Sequence, residues 1–151
     1  KGKGLDIGCG SNKTHPEVIG VDLTPGGVLG KYGNQLGQQS AADVCTPGDD
    51  LHMFDSGSMD YVVARHNLEH YKDPVKTLRE WKRVVRTGGI IGIVIPDDTF
   101  CNTISLDPTH YHVFTPESFR SLVELIGGLK ILKLEPCVED WSFLCVMEKT
   151  E

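Results

Sequence analysis

The chain has 151 residues, 24% of them charged, and a formal net charge of -6 at pH 7. That length fits one domain spanning 1–151, with a buried core and no room for a separate substrate domain. The acidic balance disfavours nucleic acid and anionic lipid as partners, and neither a signal region nor an apolar run of roughly 18 residues is present, so a cytoplasmic protein without a membrane span is expected.

The first predicted element is a strand over 4–7 running into the turn Gly8-Cys9-Gly10, and a second strand over 18–21 ends at Asp22. Two glycines let backbone approach a ligand closely. A carboxylate ending the next strand can accept both hydroxyl hydrogens of a ribose, so the pair reads as a nucleoside site at the edge of a parallel sheet. The bland reading of the same residues is a tight turn and a strand-end cap. In a dinucleotide-binding G-x-G-x-x-G loop the third glycine would stand at Lys13 and the acidic residue about 20 residues on, which disfavours a nicotinamide-dependent oxidoreductase. Only Ser11 to Glu17 separate Gly10 from Val18, too few for the usual crossover of about a dozen residues. The first helix is therefore expected to be reduced or absent. The connection from Thr24 to Gln39 carries Gly26, Gly27, Gly30, Gly33 and Gly37, which weakens any helix there and leaves this half of the sheet loosely covered.

A weaker strand is expected over 40–44, and buried parallel strands over 61–64 and 90–95. Between the last two, Asp73-Pro74 starts a helix that ends before Gly88-Gly89. Val75, Leu78, Trp81 and Val85 recur at helical spacing and should face the sheet. Lys76, Arg79, Lys82, Arg83 and Arg86 make the remaining surface basic, read as a solvated face rather than a nucleic-acid surface. A second helix runs from Thr115-Pro116-Glu117 to Gly127-Gly128 with Phe119, Leu122, Val123 and Ile126 inward, and two strands close the chain over 129–135 and 142–148.

Asp6-x-Gly8-x-Gly10 followed by an early Asp22 resembles motif I and the second-strand acidic residue of class I S-adenosylmethionine-dependent methyltransferases. Asp60-Tyr61-Val62-Val63-Ala64-Arg65-His66-Asn67-Leu68-Glu69-His70 resembles their fourth strand and its Leu-Glu-His turn. Leu78 to Gly89 resembles the helix and Gly-Gly turn before their fifth strand, and Asp107 to Phe119 is similar to a segment of many small members. Four motifs in the expected order cover nearly the whole chain. The resemblance implies an α/β, doubly wound, Rossmann-like sheet of seven mostly parallel strands, ordered 3-2-1-4-5-7-6, with the last strand antiparallel. It also implies S-adenosylmethionine as cofactor and S-adenosylhomocysteine as product. Asp6, Gly8 and Gly10, with Cys9 packed inside their turn, match positions that meet the methionine end. Asp22 matches the ribose ligand, and Leu23 would pack on adenine. Asp43 would accept the adenine amino group beside the Val44 backbone, and Arg65 and His66 would line the methionine moiety. Asn12 departs from the third glycine often found in motif I, which affects the shape of the loop.

His70, His110 and His112 fall in segments flanking the methyl-donor end, where histidine can take a proton from an acceptor at neutral pH; His70 is the leading base candidate, with a structural histidine as its bland reading. The pairs His66/His70 and His110/His112 could share faces, but without an adjacent acidic residue in a recognised ligand pattern no metal is expected. The five scattered cysteines argue against a disulfide framework or structural zinc. The expected function is methyl transfer to an oxygen, nitrogen or carbon nucleophile of an unidentified acceptor, whether glycan, protein or small molecule. With only Lys1 to Lys3 before the first strand, the remaining acceptor wall is Pro96 to Phe114, a site that a homo-oligomer could complete. The alternative is a nonenzymatic domain that keeps the fold and binds the cofactor in a structural or regulatory role.

Overall fold

A computed structural model describes residues 2–31 and 35–151; Lys1 and Gly33 of the readings above lie outside the described residues. In chain order the elements are β1 (Gly4–Ile7), β2 (Ile19–Asp22), β3 (Val44–Cys45), β4 (Met59–Arg65), α1 (Pro74–Val84), β5 (Val85–Pro96), α2 (Thr103–Leu106), α3 (Pro116–Ile126), β6 (Leu129–Val138) and β7 (Ser142–Lys149). They build one seven-stranded sheet ordered β3-β2-β1-β4-β5-β7-β6. β1 pairs in parallel with both β2 and β4, and β7 runs antiparallel to β5 and β6. The expected strand order and reversed last strand are therefore present.

No helix joins β1 to β2: residues 11–18 form only turns and bends, because Pro16 and the shortness of the segment leave no room for a helical turn. The third strand is Val44–Cys45 rather than 40–44. Upstream of it Ser40 N bonds to the Val28 carbonyl and Ala41 N to that of Gly10, so these amides serve the loop instead of a strand ladder.

Asp73 caps α1 by accepting from Lys76 N at 2.9 Å, with Pro74 following. The helix stops at Val84, earlier than its Gly-Gly signal, because Val85 already pairs with Met59 and opens β5. Its inner face is Thr77, Leu78, Trp81 and Val84; Val75 is only half-buried. Thr77 can be buried because its hydroxyl donates to the Asp73 carbonyl at 2.8 Å. The basic face is largely bracing. Arg83 binds Glu80 and the carbonyls of Leu51 and Phe54, Arg86 pairs with Asp60, Lys76 with Asp49, and Lys82 donates to the Gly127 carbonyl. α3 starts in a capping box of Thr115 and Ser118 and ends at Gly127 with φ 68°, a conformation glycine adopts without strain.

Alternation along the strands sends Val62, Ala64, Ile91, Ile93, Phe143, Cys145 and Met147 into one core with Leu78 and Trp81 of α1 and Phe119 and Val123 of α3. Both long helices thus cover the same face. The opposite face carries Tyr61, Val63, Ile90, Gly92, Val94, Leu144 and Val146, all half-buried, beneath an open groove of about 580 Å³. Among the described residues no helix is long and apolar enough to cross a membrane.

Candidate cofactor site and histidine cluster

The carboxyl ends of β1 and β2 bring the glycine turn onto Asp22. Gly8 N and Cys9 N both donate to the Val21 carbonyl, at 2.8 and 3.2 Å, which hooks the turn over the end of β2. Gly10 N donates to Asp22 Oδ2 and Thr24 N to Asp22 Oδ1, each at 2.9 Å, so the carboxylate is held by backbone from both sides. Gly8 has φ 69°, and a β-carbon there would collide with the Asn67 side-chain amide. Asn67 is in turn fixed by the Tyr71 hydroxyl, which donates to its Oδ1 at 2.8 Å. A β-carbon on Gly10, at φ 59°, would meet the Gln35 amide. The Cys9 thiol is pushed up to about 12, first by burial and then by Asp22 and Asp6, so it stays a protonated packing group.

Asp6 is 1% exposed. Its Oδ2 accepts from Thr14 N at 2.5 Å and the Thr14 hydroxyl at 2.6 Å, while its Oδ1 is buried without a hydrogen-bond partner. The Arg65 guanidinium stands 3.8 Å from Asp6 and donates to the Asn12 carbonyl at 2.8 Å. Leu23 is 70% exposed beside this edge. Asp43 precedes β3 and stands level with Gly20, below the carboxyl edge. Its Oδ2 accepts from Gly20 N at 2.8 Å and Lys13 Nζ at 2.9 Å; those two bonds, Gly20 first, hold its carboxyl below the usual range. Val44 is half-buried next to it.

A second group forms beyond β4. His66 has φ 48°, and the next residues make a single 3-10 turn, Leu68–His70. The 97–114 excursion returns through an Asp97–Phe114 bridge, and Tyr111 N donates to the Glu69 carbonyl at 2.9 Å. This seats His110 on the turn, its ring centroid 4.7 Å from that of His70. Glu69 is 1% exposed, and neither carboxylate oxygen has a hydrogen-bond partner. Its Oε1 lies 3.9 Å from His66 Nδ1 and 3.9 Å from His70 Nε2. Burial pushes the Glu69 carboxyl up to about 7 and lowers His66 and His110 from the usual imidazole value, with repulsion from neighbouring histidines as the next cause. His70 Nδ1 faces the Thr109 hydroxyl at 3.0 Å, and that hydroxyl donates to Asp107 at 2.6 Å. His112 stands apart, its Nε2 2.8 Å from the Lys72 carbonyl.

Of the sequence-derived residues, Asp6, Gly8, Cys9, Gly10 and Asp22 come together at one edge, and His66, His70 and His110 gather around Glu69. Thr14, Asn67 and Glu69 were not foreseen. Asn67 could have been suspected as a polar residue ending an apolar strand, and Glu69 as a carboxylate beside His70; no sequence signal marks Thr14 as the holder of Asp6.

Residues 5–93 match the family model of the methyltransferase domain. An uncharacterized protein of Methanocaldococcus jannaschii is 30% identical over 137 residues, covering 87% of this chain and 64% of that protein. The chain thus spans less than two thirds of that curated relative. Among solved structures, the complex between the Haloferax volcanii Trm112 methyltransferase activator and its methyltransferase contains a chain that superposes with a TM-score of 0.73 at 17% identity, over 99% of this chain and 83% of that one. A SAM-dependent methyltransferase from Methanosarcina mazei superposes with a TM-score of 0.71 at 18% identity, over 99% of this chain and 93% of that one.

Proposed function

Because the chain belongs to the methyltransferase-domain family, an enzyme family that uses S-adenosylmethionine, we propose that it moves a methyl group from that cofactor to an oxygen, nitrogen or carbon nucleophile of an acceptor. Glycans, proteins and small molecules all fall within the acceptor classes proposed. The observation that carries this reading is the grip of the glycine turn on Asp22 through Gly10 N. It presets a carboxylate whose free lone pairs suit two ribose hydroxyls.

The residues present fit the cofactor. The unpartnered Asp6 Oδ1 supplies the acceptor that an amino-acid ammonium, or a water beneath it, requires. Gly8 and Gly10 leave backbone exposed where side chains would collide, Leu23 offers an apolar surface for a purine, and Arg65 and His66 border the methionine end. Asp43, whose Oδ2 is held by Gly20 N and Lys13, would offer its Oδ1 to the adenine amino group, with Val44 contributing backbone. When bound, the cofactor supplies a sulfonium methyl that is already activated, so the chain's task is chiefly alignment and exclusion of water. His70 is the candidate base. With Thr109 committed as donor to Asp107, the His70 Nδ1–H donates to Thr109 and the Nε2 lone pair is left to take a proton. His110 and His112 shape the acceptor wall, which a second subunit could complete.

Calorimetric titration with S-adenosylhomocysteine, with NAD in parallel, tests the reading. Saturable binding lost in Asp22→Ala is expected; binding of NAD instead, or no difference between wild type and variant, would refute it.

A further inference from the structure

Glu69 presents a physical problem. A carboxylate group with both oxygens enclosed and unbonded loses hydration that a protein normally replaces with hydrogen bonds. Its surroundings are ring nitrogens instead. One oxygen of Glu69, one nitrogen of His70 and one of His110 all lie within 4.8 Å of one another. The Thr109 bond turns the Nε2 lone pair of His70 toward Glu69, and His110 Nδ1 is likewise buried without a partner. A proton on Glu69 can serve one ring nitrogen, but a cation satisfies the carboxylate and both imidazole lone pairs together.

We infer that Glu69, His70 and His110 form a binding site for a divalent transition cation of the zinc type. Two imidazoles and one carboxylate are the donor set of three-ligand zinc sites that keep a further position open. Donor atoms around a tetrahedral ion with bonds of about 2.0–2.1 Å lie roughly 3.4 Å apart. On loading, His70 Nε2 and Glu69 Oε1, 3.9 Å apart, close by about 0.5 Å, and no pair of the three needs to close by more than about 1.4 Å. The outer contacts of such a site are present too: Thr109 fixes the His70 tautomer, and Asp107 stands 3.7 Å from His110 Nε2. The expectation of no metal turns on the want of a carboxylate among the histidines, and Glu69 supplies it. His66, its Nδ1 3.9 Å from Glu69 Oε1, borders the site. A cation held on His70 Nε2 makes that residue a ligand instead of a base.

The test is titration of the metal-free full chain with cobalt(II), whose visible absorption reports its ligands, with circular dichroism to check folding. One equivalent is expected to bind with nitrogen and oxygen ligation and no thiolate charge-transfer band. Binding is expected to weaken at least about tenfold in Glu69→Gln and His110→Ala and to be unchanged in His52→Ala, whose ring sits exposed on Asp50. Absence of saturable binding, a thiolate band, or folded Glu69→Gln binding as wild type does would overturn the inference. If His110→Ala does not fold, the near-isosteric Glu69→Gln decides. None of these readouts depends on S-adenosylhomocysteine, so this site and the cofactor site stand or fall separately.

Discussion

Gly8→Ala is the substitution whose cost can be worked out most directly. At φ 69° an alanine pays left-handed strain of roughly 1–2 kcal/mol. Its methyl must also displace the Asn67 amide, breaking the bond from the Tyr71 hydroxyl, a loss of about 1–2 kcal/mol. The single variant should therefore lose about 2–4 kcal/mol. Asn67→Ala alone removes the Tyr71 bond and costs about 1–2 kcal/mol. In the double variant the collision is gone and only strain is added, so the combined cost should fall short of the sum by about 1–2 kcal/mol. Urea denaturation of the four proteins measures this cycle. Costs that add to within about 0.5 kcal/mol would show that close approach of Asn67 is not the reason for glycine at this position.

Glu80 accepts from Leu51 N at 2.9 Å and from Arg83 at 2.8 Å, and the Arg83 bond leads the causes that hold its carboxyl below the usual range. Its contribution is thus complete above the unfolded carboxyl value and is lost as pH falls through the lower folded one. Glu80→Gln should destabilise by about 1 kcal/mol at neutral pH after allowance for partial exposure, with the gap to wild type shrinking in acid denaturation midpoints; a gap constant with pH would contradict the ion pair. On β4, Val62→Thr places a hydroxyl in the core and should cost about 1–3 kcal/mol, whereas Val63→Thr faces the open groove and should stay within about 0.5 kcal/mol. Thermal melting separates them at roughly 2–4 °C per kcal/mol; equal losses would mean that the groove face is covered.

Much of this fold is legible in the sequence because its signals are local. Asp73-Pro74 and Thr115-Pro116 start helices where caps and proline say they should, and Asp22 ends its strand against the glycine turn. What was not legible depends on partners distant in sequence. α1 yields at Val85 because Met59 claims that backbone, Thr77 replaces Val75 inside because its hydroxyl finds a carbonyl one turn back, and β3 begins late because Gly10 and Val28 take the preceding amides. Lys13, read only as the residue that spoils a dinucleotide loop, holds Asp43. Glu69 is the sharpest case: nothing local distinguishes a carboxylate bound for water from one sealed under a loop some forty residues further on.

The sheet is also graded along its width. At one margin β5, β7 and β6 have 12, 8 and 10 residues, and β6 and β7 are joined by a short turn through Asp140 at φ 53°. At the other, β3, β2 and β1 have 2, 4 and 4, and β1 is joined to β2 without a helix. Cooperative units of unequal stability follow from such a gradient. The end that carries Asp22 can fray while the hairpin end holds, and a ligand that gripped Asp22 would draw part of its affinity from ordering that end. Amide protection should then rise first around Gly8 and Gly20, in a region whose opening the global unfolding midpoint hardly senses.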